Sequence, residues 1–174
     1  MKTTRFILPL VALFASNAAL HAQVSPVSMR VEQVSKTDTD DKERHKKTQK
    51  RSLKVHLSNS ANTELSGGIL KYWFFGKSVK GSGNETVVLD KGEKGATVPP
   101  RKTEIVETPA ASVSYTEDHT KDKKKVEGEG NKISGYGAQL VKDGKVLAEY
   151  FSSPSFKPIA EASATAKPDA AKKP

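Results

Sequence analysis

Residues 133 to 151 read ISGYGAQLVKDGKVLAEYF, two runs rich in apolar and aromatic side chains on either side of Asp143-Gly144. Asp-Gly is the pair that a type I′ two-residue turn demands, because both central residues must take positive φ. The stretch therefore predicts a β-hairpin, with Ile133 to Lys142 against Lys145 to Phe151. If Lys142 faces Lys145, Leu140 falls opposite Leu147 and Tyr136 opposite Phe151 on one face, while Val141 and Val146 share the other. The first face collects two leucines and two aromatics and is the predicted core side. One residue resists this register: Glu149 lands opposite Ala138 on that same face, at a rim or in the wrong place.

The same period of two recurs upstream. Val27, Met29 and Val31 alternate with polar residues, as do Leu53, Val55 and Leu57, so both runs predict half-buried strands. Ile69 to Phe75 is apolar on both parities, interrupted only by Lys71, and predicts a central strand or one with both faces covered. Weaker strands are expected at Glu85 to Leu89, Ala96 to Val98, Thr103 to Glu107 and Ser112 to Tyr115, divided by Gly92, Gly95 and Pro99-Pro100. About seven strands with no long helical pattern predict an all-β fold, an antiparallel sandwich. Trp73 lies on the third strong strand, Tyr136 lies early in the next-to-last, and a strand ending at Ser58-Asn59-Ser60 precedes the aromatic one. On these residues the chain resembles immunoglobulin-like modules of bacterial exported or envelope proteins. The resemblance implies a two-sheet fold over roughly residues 24 to 156, without the paired cysteines of antibody domains; Ala138 falls where the second would stand.

Both ends lie outside this pattern. Lys2 and Arg5 precede the apolar run Phe6 to Phe14, and small residues lead to Ala22, so residues 1–22 read as a signal peptide cleaved after Ala22. That places the protein in the periplasm or outside the cell. Residues 157–174 are Ala, Lys and Pro with little that fills a core, and read as a disordered tail; a short helix from Ile159 to Ala166 is the alternative, confined by Pro158 and Pro168. The sandwich domain is then 23–156. The chain has 174 residues, no cysteine and a formal charge of +9. It therefore has no disulfide frame, thiolate metal site or thiol nucleophile, and burial and strand pairing must hold the fold.

Two segments, Ser35 to Lys50 and Thr116 to Asn131, are too long and too charged for tight turns. In an immunoglobulin-like order they lie at one pole, with the connection carrying Lys77 and Lys80. Lys42, Arg44, Lys46, Lys47, Lys50 and Arg51, with Lys121, Lys123, Lys124 and Lys125, there form a candidate site for phosphate, sulfate or carboxylate groups of an envelope polymer. Asp38, Asp40, Asp41, Glu43, Glu117, Asp118, Asp122, Glu127 and Glu129 dilute that field, and mixed charge also serves plain solubility.

Other chemistries fit less well. The run Asp38 to Glu43 puts Lys42 and Glu43 where a calcium loop of the EF-hand kind needs an acceptor and a glycine. His45 and His119 would meet at the shared pole and, with an acid, would offer a loose zinc site, but neither has a partner at metal-ligand spacing. No Gly-x-Ser-x-Gly elbow is present, and Gly128-Glu129-Gly130 lacks the strand-to-helix setting of a phosphate loop. Asn84-Glu85-Thr86 matches a eukaryotic glycan acceptor by coincidence in a chain with a bacterial leader. No metal or cofactor is expected, and no catalysis; export and the lack of a stacking sheet motif argue against nucleic acid. No transmembrane segment is expected after leader cleavage. The expectation is a non-catalytic binding or structural module for an envelope or extracellular protein partner or an anionic envelope polymer. The alternative is a glycan-binding module whose Trp73 is exposed and stacks on a sugar ring.

Overall fold

The structure, a computed structural model, describes residues 25–80, 85–121 and 123–165. The expected leader (1–22), Asn84, the side chain of Lys121, Asp122 and the last nine residues of the expected tail lie outside the described residues. Ten strands and one helix follow in order: β1 (Val27–Thr39), β2 (Lys46–Asn59), β3 (Leu65–Ser78), β4 (Thr86–Val98), β5 (Thr103–Glu107), β6 (Ala111–Thr116), β7 (His119–Lys121), β8 (Lys124–Val126), β9 (Glu129–Lys142), β10 (Lys145–Phe151) and α1 (Phe156–Thr165).

All strand pairs are antiparallel, and the fold is the expected all-β sandwich. One layer is β1-β2 with β5 and β6, which pair successive halves of β2. The break between them is Thr108-Pro109, where proline has no N–H for the ladder. Thr108 bridges it: its N–H donates to the Leu53 carbonyl, and its Oγ1 accepts from the Leu53 N–H at 3.0 Å. The other layer is β4-β3-β9-β10. The layers join at one corner, where the first two residues of β9 pair with Tyr115 and Thr116 of β6. Where β9 then turns to β3, the ladder shifts, and the Ile133 N–H donates to Oε1 of the buried Gln49 at 2.9 Å.

The core between the layers holds Leu53, Val55 and Leu57 of β2 against Leu70, Tyr72 and Phe74 of β3 and Ala138 and Leu140 of β9. Each large aliphatic or aromatic side chain removed from water there contributes roughly 1.5–3 kcal/mol before entropy is counted. The period-two reading of these strands thus meets its expected face.

Four local expectations change. The hairpin register holds for Lys142 opposite Lys145 and Val141 opposite Val146, but then shifts at Leu147, so that Ala148 faces Leu140 and Phe151 faces Gly137. The bulge resolves the misfit of Glu149, which faces Gln139 and accepts from its Nε2 at 3.0 Å. β4 runs unbroken through Gly92 and Gly95, in place of the expected turns, because β3 pairs it along its length, with shifts between Leu65 and Gly68 and between Phe74 and Phe75. Residues 157–165, expected in a disordered tail, form most of α1. Pro158 is the third residue of that helix, where its missing N–H has no intrahelical acceptor to lose.

α1 lies on the outer face of the second layer, and it decides the fate of Trp73. Trp73 and Phe75 point away from the sandwich core and pack with Phe156 and Ala160 in a second apolar cluster. The Phe156 ring stacks on Phe75 with centroids 4.6 Å apart and planes 6° apart. Gly135 and Gly137 make the bed: a Cβ on the first would collide with Phe156, on the second with Phe151. Trp73 is 3% exposed, so the exposed indole that the glycan-binding alternative requires is instead covered by the helix.

Candidate functional site: the charged pole

The pairing of β1 with β2 continues to Thr39 opposite Lys47, which leaves a tight connection at residues 40–45. Asp40 organises it. Its Oδ1 accepts the N–H groups of Lys42 (2.8 Å) and Glu43 (3.1 Å), its own N–H donates to the Lys46 carbonyl, and the Lys46 N–H returns to Glu43. An aspartate that closes a turn on backbone N–H groups is stabilised as the anion, and Asp40 is held below its ordinary pKa chiefly by these two bonds. Its carboxylate is thereby occupied in holding the loop.

Because β2 also pairs β6, with Lys46 opposite Thr116, the chain leaving β6 starts beside this loop. The Glu117 N–H donates to the His45 carbonyl at 2.9 Å, and the Glu117 carboxylate pairs with Lys47 at 2.7 Å. A second aspartate closes the other loop: Asp118 accepts the Gly128 N–H at 2.7 Å and pairs with Lys125 at 3.1 Å. These contacts hold Asp118 below its ordinary pKa, the Gly128 bond first, while the pairings raise Lys47 and Lys125. Gly128 is required by space, since a Cβ there would lie 2.5 Å from the Thr116 carbonyl oxygen.

Between the two loops His45 and His119 stack, ring centroids 4.3 Å apart and planes 10° apart. Nδ1 of His119 is 3.1 Å from the Glu117 carbonyl oxygen. The rings border an open cleft of about 570 Å³, formed by residues 41–46 together with Thr116, His119 and Thr120. The β3 end reaches the same pole: Lys77 faces Lys132, the Val79 N–H donates to Gly130, and the Lys132 ammonium sits 5.8 Å from the centre of the Tyr115 ring.

The candidate cations therefore divide. Lys42, Arg44 and Lys46 come together on the cleft, exposed and without an ion pair among the described residues. Lys47 and Lys125 are neutralised by Glu117 and Asp118 and serve to hold the loops. Lys123 and Lys124 are exposed on the neighbouring β7–β8 hairpin, whose turn places Lys123 at φ 64°. Arg51 faces away from the pole's surface, with Nη1 donating to Gln33 at 2.9 Å. Trp73 belongs to the helix-covered face and takes no part.

The geometry also bears on the metal reading of the two histidines. Imidazole lone pairs lie in the ring planes, so two nearly parallel rings cannot aim them at one ion. Among the described residues no group of three or more His, Asp or Glu is arranged to hold a metal. Thr116, Thr120 and the Glu117 anchor carry no signal in the sequence; they become visible only through the β2–β6 register, which no turn motif announces.

No family model matches the chain, and no curated protein matches it. Among solved structures it is similar to a β-glucuronidase of glycoside hydrolase family 2, at 12% identity and TM-score 0.41, over 73% of this chain and 12% of that one. It is similar to a protein from Akkermansia muciniphila at 14% identity and TM-score 0.39, over 73% and 71% of the two chains. It is also similar to a β-glucosidase from Kluyveromyces marxianus in complex with glucose, at 10% identity and TM-score 0.31, over 72% and 14%. The chain thus spans a small part of either glycosidase.

Proposed function

We propose that this protein is a non-catalytic, exported binding module of immunoglobulin-like architecture, which presents the charged pole to a protein or anionic polymer of the cell envelope. The observation that carries the reading is the division of labour among the pole's charges. Asp40, Glu117 and Asp118 are consumed in fixing the loops, whereas Lys42, Arg44 and Lys46 stay unpaired on one cleft, where they outnumber the unpaired Asp41 and Glu43. Fixed loops present a surface at little ordering cost, and unpaired cations around a cleft attract anionic groups. The expected leader supports an exported address. A buried Trp73 leaves the sugar-stacking alternative without its platform.

The test is retention on dextran sulfate beads across a salt gradient. The triple variant Lys42→Gln, Arg44→Gln, Lys46→Gln should elute at clearly lower salt, whereas Lys54→Gln, on the opposite part of β2, should elute with the parent. Equal elution of parent and triple variant would remove the pole from the binding surface.

A further inference from the structure

The histidine stack lies where the two loops of the pole meet. Two imidazoles 4.3 Å apart pack face to face without difficulty when neutral, but carry like charges at close range once protonated. Histidine is the side chain that ordinarily changes charge between about pH 5 and 8. The charged groups around the rings decide how the pair responds. On the β1–β2 loop, Lys42, Arg44 and Lys46 face the cleft with Asp41 and Glu43. From the β6–β7 side, Glu117 is bound to Lys47, and Asp118, whose charge reaches His119, is bound to Lys125. Glu117 and Asp118 are therefore already matched, while Asp41 and Glu43 line the cleft without an ion pair among the described residues. Counting the charges that line the cleft, three cations against two acids leave +1, and protonation of both rings makes it +3.

Resting on the reading of this pole as the binding surface, we propose that the cleft binds a sulfate or phosphate monoester group, and binds it more tightly as the medium becomes acidic. An oxyanion beside the stack supplies the opposite charge that two imidazolium rings lack. Thr116 and Thr120 line the cleft wall, and Arg44 brings a planar fork of donors suited to a tetrahedral oxyanion. Acid thus tightens the site instead of simply forcing the loops apart.

Sulfate is the probe of choice because its own charge is constant over the range. The protein is titrated with sodium sulfate at about pH 5.5 and 7.5, at constant ionic strength, while the imidazole proton signals of His45 and His119 are followed by NMR. The expected result is a saturable shift of both rings with affinity roughly tenfold or more higher at the acidic pH. His45→Gln with His119→Gln should lose that gain, and Arg44→Gln should weaken binding at both pH values; both sets of changes lie on the surface loops, and unchanged melting temperatures verify the fold. A sulfated hexasaccharide run in parallel distinguishes a polymer-borne group, which binds more tightly than free sulfate, from a small free anion, which binds as sulfate does. Equal affinity at the two pH values, or sulfate shifts that spare both rings, would overturn the proposal. If dextran sulfate retention still depends on Lys42, Arg44 and Lys46 in that event, the binding pole stands and only its acid dependence falls.

Discussion

Replacing Phe156 with alanine attacks the one element that the strand pattern does not contain. The ring is 7% exposed, lies flat on Phe75 and sits in a space kept open by Gly135. Truncating a buried phenylalanine costs about 3–5 kcal/mol when the rest of the structure stays in place. Here it need not stay, because a ten-residue helix is marginal without tertiary contacts. Undocking relieves the cavity and caps the loss near the lower value, about 3 kcal/mol, a fall in melting temperature of roughly 10 °C for a domain of this size. Undocking also uncovers Trp73, the sole tryptophan, so its emission should move to longer wavelength in the folded variant. Gly135→Ala should reproduce both effects by pushing on the same ring, and the double variant should cost much less than the sum. A Phe156→Ala protein with unchanged emission and a melting temperature within about 2 °C of the parent would refute the docked helix.

Glu149 accepts from Gln139 and pairs with Lys157, and these contacts, the lysine first, hold it below its ordinary value of 4.5. Its stabilising contribution is therefore complete above about pH 4.5 and is lost as pH falls through the lowered folded value. Melting curves of the parent and Glu149→Gln should differ most above pH 5 and converge towards pH 3. At the β9–β10 turn Gly144 has φ +75°, and a Cβ added there would have no atom within 4 Å, so Gly144→Ala meets backbone strain alone, about 1 kcal/mol by denaturant unfolding. Asn59 is buried, its amide donating to the Thr63 (2.8 Å) and Val98 (3.2 Å) carbonyls and its Oδ1 accepting from Ala61 (3.0 Å). Asn59→Ala should cost about 2–3 kcal/mol, measured the same way.

How much the chain discloses in advance depends on how local each cause is. Asp143-Gly144 sets its own turn, and the alternation in β1, β2 and β9 announces which face is buried, because each needs only neighbours in sequence. The bulge at Leu147 does not, although Glu149 on an apolar row is its trace. β4 passes through Gly92 because the Tyr72 side chain occupies the space a Cβ would need, a contact between strands about twenty residues apart. The adjacent rings from Tyr72 to Phe75 require a cover on each face, yet nothing local names α1 as the second cover; Phe156 and Ala160 look sparse until the glycines of β9 are placed beneath them. At the pole, the meeting of the two loops is legible from strand order, while the neutralisation of Lys47 and Lys125 is not, since it depends on which acids the turns leave facing them.

The most direct measurement is a nuclear Overhauser spectrum of the imidazole protons at neutral pH. Cross-peaks between the rings of His45 and His119 are expected, because the two loops form one rigid cleft with the rings stacked at 4.3 Å. Sharp, independent histidine signals with no cross-peak would mean that the loops move separately, and the cleft with its unpaired cations would not exist.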